Sequence, residues 1–184
     1  MKYYGAKDLA ASFRTVRKNT LTIAEEIGEA QYGFRVTPDT RTVGQTLVHI
    51  AHLCELQEHV HKVKHLSTLE GFDFMSFVGP IIADEQTPRT KDQIITLLRE
   101  SGDRFSKWLE GLSEEFLGEG VTMPAGMTPA VKTRFEMLLG VKEHEMHHRA
   151  QLMVMERLVG IVPHLTREFQ ARMASMTASA TAKQ

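Results

Sequence analysis

Only one cysteine, Cys54, occurs in the 184 residues of the chain. An intrachain disulfide is thereby excluded, and a reducing compartment suits this usage, so a cytoplasmic location is expected. No stretch approaches the ~18 apolar residues that a membrane span needs. The N-terminus, MKYYGAKDLAAS, lacks the apolar run of a secretory signal. Neither sign of charge is in excess, the formal net charge being −1. No long-range field then draws the chain to nucleic acid or to an anionic membrane, and neither is expected as a partner. Internal repeats and segments with strand-like alternation are missing too. What is present is ordinary globular material, with 42% hydrophobic and 24% charged residues. The length suits one domain over 1–171 with its own core. A small, polar tail over 172–184 is expected to be flexible.

Helical periodicity is the main signal. Over 6–28, Leu9, Phe13, Val16, Thr20, Ile23 and Ile27 recur at helical spacing. Thr42-Val-Gly-Gln45 reads as a capping box that opens a second helix over about 43–65. On that helix His49, Leu53, Leu56, Val60 and Val63 form an inward line, with Leu47, Ile50 and Cys54 beside it. A third helix starts at the capping box Thr90–Gln93 and buries Ile94, Leu97, Leu98, Phe105, Trp108 and Leu109. Thr128-Pro129 reads as an N-cap followed by proline at the first helical position, and this fourth helix runs to about Val159. Between the second and third helices, 66–88 has no sustained periodicity but holds Phe72, Phe74 and Phe77. So apolar a connection is expected to cover the bundle mouth. Four long amphipathic helices make the fold class all-α, a four-helix bundle.

Chemistry concentrates in the stretch VKEHEMHHRAQL, 141–152. His144 and His148 are four residues apart and share a face of the last helix. His49 lies on the inward line of the second helix. Buried imidazoles need partners, and three that converge find one in a divalent metal ion, with His49, His144 and His148 as ligands. Three neutral nitrogens leave a position open for water or substrate, the arrangement of a catalytic rather than a structural site. The reactive species is then a metal-bound water or thiol, with no side chain standing out as a catalytic base. Imidazoles suit zinc, nickel or iron, so ligand type does not choose the metal. His52 and Gln151 are candidates for an outer shell around the ligands.

The segments TVGQTLVHIA at 42–51, HEMHHRAQL at 144–152, RLVGIVP at 157–163 and YGFRVTPDTRTV at 32–43 together resemble the DinB superfamily of YfiT-like metalloenzymes. The resemblance implies an up-down-down-up bundle, often dimeric. It places three metal-binding histidines on His49, His144 and His148. This chain departs from the family's H-x-x-x-H-R-G-Q at Ala150, which stands where glycine is usual. The resemblance further implies relatives among thiol-cofactor S-transferases, including a mycothiol-dependent maleylpyruvate isomerase. A small-molecule substrate, a low-molecular-weight thiol co-substrate and a homodimer follow as expectations.

Two competing readings carry their own residues. Glu58–His61 and Glu145–His148 are E-x-x-H pairs that raise a di-iron carboxylate bundle. Their positions outside the inward line argue against it. A metal-binding stress-response module without turnover is the other alternative, and an open cavity beside the ligands would favour the enzyme over it. His61 and His65 are expected at the surface, His147 at the periphery, and Cys54 as a buried, inert thiol.

Overall fold

The computed structural model describes residues 4–181. Helix α1, Ala6–Glu26, buries every one of the positions that its periodicity picks out, Leu9 through Ile23, with Ile27 just beyond its end. Helix α2, Val43–Gln57, and helix α4, Lys91–Glu110, start at the two expected capping boxes. Helix α3, Phe74–Asp84, lies in the connection between them, and α5, Glu114–Gly118, follows α4. The last bundle helix, α6, spans Arg134–Leu158. It starts later than Thr128-Pro129 suggested. Thr133 accepts from the Glu136 amide, and Glu136 accepts from the Thr133 amide in return. This reciprocal cap takes the helix start. The preceding residues are used instead in β2, Val131–Thr133, which pairs antiparallel with β1, Gly120–Thr122, with Gly120 opposite Thr133.

Side-chain pairs give the direction of each helix. Arg14 reaches Glu110 and Arg99 reaches Glu25, so α1 and α4 are antiparallel. Gly44 packs on Ile94 while Arg104 bonds Glu58, so α2 and α4 are parallel. His61 meets Arg134 and His49 meets His148, so α2 and α6 are antiparallel. The bundle is therefore up-down-down-up, and the parallel neighbours α2 and α4 need the long crossover that carries α3. Two apolar halves fill the interior. One gathers around Ile23, Leu47, Ile50, Leu98 and Leu152, the other around Leu9, Phe13, Phe105 and Leu138. A polar layer divides them. Arg17 donates from Nε and Nη2 to the Glu145 carboxylate, from Nη1 to the Leu98 carbonyl and Ser101, and Thr20 completes the shell of Glu145.

Three parts of the chain depart from the periodic pattern. Glu58–Val63 closes α2 as a π-helical turn. The wider turn rotates the register. Val63, expected inside, is exposed, whereas Glu58 and His61, expected outside, are buried. His61 is held between Arg134 on Nδ1 and Gln57 on Nε2, at 2.8 Å each. The second departure is α3 itself, capped by Asp73 on the Ser76 amide and carrying Pro80 inside. The proline and Gly79 hide it from a periodicity search. The third is α7, His164–Thr181, which begins after Pro163. It takes up residues expected as a tail; 182–184 lie outside the described residues. Alanines at 171, 174, 178 and 180 give it high helix propensity.

Where α6 meets α7, Glu156 is fully buried and neither carboxylate oxygen has a hydrogen-bond partner. Burial, and then the nearby Glu26, push its pKa up to about 7 from an ordinary 4.5. The folded state then holds a proton that the unfolded state has released between those values. Stability from this group is present below pH 4.5 and is lost as pH rises through about 7. Buried His61, whose pKa is pushed down, works in the opposite sense at the acid side. Comparison with Glu156→Gln isolates the carboxylate. Denaturation midpoints of the native chain should fall relative to the variant between pH 5 and 8. Parallel profiles would sink the expectation.

Candidate metal centre

His49 lies two turns into α2, and His144 and His148 lie one turn apart on the facing side of α6. One nitrogen from each comes within 4.8 Å of the other two. Their rings contact one another, with centroids 4.5 Å apart for His49 and His148, 5.4 Å for His49 and His144, and 4.8 Å for His144 and His148. His148 is buried, His49 half-buried and His144 exposed, so the group opens to solvent on the His144 side. Among the described residues no other group of histidines, cysteines and carboxylates gathers in this way.

Partners on the far side of each ring decide which nitrogen faces the centre. A carboxylate oxygen can only accept, so the bond between His49 Nδ1 and Glu85 at 2.7 Å puts the proton on Nδ1. His49 Nε2 is left with a bare lone pair, and it is buried without any hydrogen-bond partner. The amide oxygen of Gln151 fixes His148 in the same tautomer through a 2.9 Å bond to Nδ1. Its Nε2 stands 2.9 Å from His144 Nε2. Two lone pairs thus face the third imidazole across a small gap, and an orphaned buried acceptor points into it. This is the donor set that a divalent ion with nitrogen affinity fits. Burial, and then the neighbouring cationic forms, lower the pKa of His144 and push that of His148 down to about 4. Burial also lowers His49. All three are neutral near pH 7, the state a ligand requires.

The outer contacts form a chain. Arg41 grips Glu85 through Nε at 2.6 Å, and Glu85 holds His49. Neither Arg41 nor Glu85 stands out in the sequence; only the crossover brings the end of α3 against α2. Gln151, expected in the outer shell, bonds His148 and also donates from Nε2 to His147. His52 is placed differently. Its Nδ1 faces Glu55 at 2.6 Å and its Nε2 faces Asp84 at 2.9 Å. Both ring nitrogens must donate, so the ring is held as an imidazolium, and its pKa is raised first of all by Glu55. Asp84 and Glu85 together clip α3 to α2.

The remaining candidates sort themselves by burial. Cys54 is buried in the apolar core, and desolvation pushes its thiol up to about 12, so it stays protonated. His147 is exposed. His61 belongs to the Arg134 contact and not to the surface. Glu58 and Glu145 are both inside, contrary to the expectation that they face away from the inward line. Each is spent on an arginine, Arg104 and Arg17, and neither joins the histidines. Among the described residues these carboxylates therefore form no dinuclear site with the histidines.

Two cavities flank the histidines. One of about 680 Å³ reaches His148 and is walled by Arg41, Glu85 and Gln151. The other, about 370 Å³, has His49 and His144 at one end and Phe74, Val78 and Ile81 of α3 along its wall. The apolar crossover thus covers a space beside the candidate centre, although Phe77 packs on His59, at 4.6 Å between ring centroids.

A family model described as the DinB superfamily matches residues 12–152. No curated protein matches the sequence. Solved structures of similar fold include YfiT from Bacillus subtilis, described as a probable metal-dependent hydrolase with an unusual four-helix bundle topology. It is 18% identical with a TM-score of 0.64, over 85% of this chain and 88% of that one. A DinB-like protein of the same organism, YjoA, is 21% identical with a TM-score of 0.59, over 83% and 91% of the two chains. A DinB-like protein from Bacillus cereus is 16% identical with a TM-score of 0.65, over 88% and 97%.

Proposed function

The chain belongs to the DinB superfamily, and from that premise we propose that it is a divalent-metal-dependent enzyme acting on a small molecule. His49, His144 and His148 hold the ion. The carrying observation is the orphaned, buried Nε2 of His49 aimed between two other imidazoles. When bound, the ion supplies Lewis acidity and acidifies a water or a thiol at its open position. The chain's own residues do the rest. Glu85 and Gln151 keep His49 and His148 in the ligating tautomer. Arg41 holds Glu85 in place and lines the larger cavity. His52, saturated by Glu55 and Asp84, holds its proton and does not act as a base. Leu53, Leu56 and the α3 residues keep water from one side of the site.

Two cavities meeting at one centre support transfer between two small molecules, with a low-molecular-weight thiol as one of them. Hydrolysis is the outcome if water takes the thiol's place. An accessible space beside the ligands favours an enzyme over a metal-stabilised module without turnover. A homodimer belongs to the same reading, and the exposed stripe Phe169, Met173 and Met176 on α7 is a surface that it could cover. A cytoplasmic location agrees with a protonated, unpaired Cys54. The test is metal analysis of the purified chain, followed by a panel of activated esters and alkyl halides with and without added thiol. Turnover should vanish on chelation and return with zinc, nickel or iron. A chain that binds no metal, or whose turnover ignores the chelator, would overturn the reading.

A further inference from the structure

The smaller cavity is a groove with two unlike ends. Residues of α6 that line it run from Glu136 to His144, with Lys132 just before the helix. The eight rises from Glu136 to His144 make this about 12 Å. Antiparallel α2 supplies the other wall through His49, Leu53 and Leu56, and α3 lies alongside with Phe74, Val78 and Ile81. Between its ends the lining is mostly apolar, with His52 and Gln57 as the polar residues of the α2 wall.

At the end remote from the histidines stands Lys132, half-buried. Its ammonium makes no hydrogen bond or ion pair among the described residues. Glu136 lines the same end, and its carboxyl is held below the ordinary range first by the Thr133 amide and hydroxyl, each 2.8 Å from Oε2, and last by Lys132. The other cation in the wall, His52, is already saturated by two carboxylates. Midway, Gly140 lines the cavity, and a Cβ built there would meet nothing within 4 Å. A glycine inside a helix is less stable than alanine there. Here it leaves room in the groove where any side chain would project.

We propose that this groove binds an elongated apolar molecule bearing one carboxylate or comparable anion, with the anion on Lys132 and the other end presented to the histidines. The substrate class of the enzyme is then an apolar acid that reacts at the end away from its charge. Only that last clause rests on the metal-centre reading; the groove and its charge do not.

Calorimetric titration of the full chain with decanoate, 1-decanol and acetate tests this, both metal-free and loaded with one equivalent of nickel. Decanoate should bind at least about tenfold tighter than 1-decanol, the margin of one charged hydrogen bond, and acetate should not register. Lys132→Met should bring decanoate down to the level of 1-decanol. Gly140→Leu should abolish binding of both, with an unchanged circular dichroism spectrum and no loss of thermal stability. Metal-free protein should keep its decanoate affinity. Binding that survives Gly140→Leu, or that needs nickel and ignores Lys132→Met, would overturn the proposal, since the carboxylate would then sit elsewhere. No binding of decanoate to either form would overturn it as well. A chain that takes up no nickel but binds decanoate as expected would refute the metal centre and leave the groove standing.

Discussion

Replacing His49, His144 or His148 by alanine is expected to lower the affinity for a divalent ion by more than ~100-fold, beyond the range seen when only outer partners are lost. Each ring supplies one of three nitrogens, and no fourth histidine, cysteine or carboxylate among the described residues is placed to substitute. His148→Ala should have the largest effect, because His148 is the most buried of the three. Glu85→Ala should weaken binding by the smaller ~10–100-fold, since it frees His49 to rotate and to change tautomer without deleting a donor. His61→Ala is the informative control. Its ring sits against Arg134 at the opposite end of the interface between α2 and α6. It should leave metal affinity intact but lower stability, because a buried guanidinium loses a partner. Titration with competing chelators reads all five variants. Retention of one equivalent of metal by His148→Ala would remove the site.

Arg17→Ala is expected to destabilise the fold by ~3–5 kcal/mol, the range for breaking a buried pair from one side. Glu145 would be left fully buried with only Thr20 as a donor. Glu145→Ala should cost a similar amount, stranding Arg17. The double variant Arg17→Met with Glu145→Leu should recover much of the loss, since apolar replacement of a buried pair is often near neutral. Gly102→Ala tests the same layer without touching either charge. Its Cβ would lie 2.8 Å from Arg17 Cγ and 2.9 Å from Nη1, so the anchored arginine must shift. Urea midpoints decide. A loss below ~1 kcal/mol for Arg17→Ala would mean that the layer is wetter than its burial implies. The pair also bears on the site. His144 and His148 lie about 100° and 60° around the helix axis from Glu145. Holding Glu145 against α1 therefore turns both rings toward α2. Metal affinity should fall in either single variant and return in the double one only if shape alone sets that rotation.

Much of this was legible in the residues themselves. Apolar spacing and the two reciprocal capping boxes depend on contacts three and four residues apart, so they marked α1, α2 and α4 correctly and placed His144 over His148. The inward line of α2 was half read. Leu47, Ile50 and Cys54 face the bundle core, whereas His49, Leu53 and Leu56 face the groove beside α3. A helix with two apolar stripes does not declare which one meets which neighbour. The π-helical turn hid the burial of His61 and Glu58 for a related reason. Periodicity assumes a constant angle per residue, and one widened turn exchanges inside for outside.

From the sequence alone came the all-helical class, the helix starts governed by local hydrogen bonding, and three histidines able to serve one ion. These depend on short-range geometry or on composition. Tertiary structure alone decided the rest. The crossover between parallel helices brought Asp84 and Glu85 against His52 and His49, turning one histidine into a fixed cation and leaving the other with a bare, buried nitrogen. The same crossover enclosed a groove ending at Lys132 and kept open at Gly140. Apart from the local bond of His52 to Glu55, contacts between residues dozens of positions apart set these protonation states and this space, and no local pattern encodes such a contact.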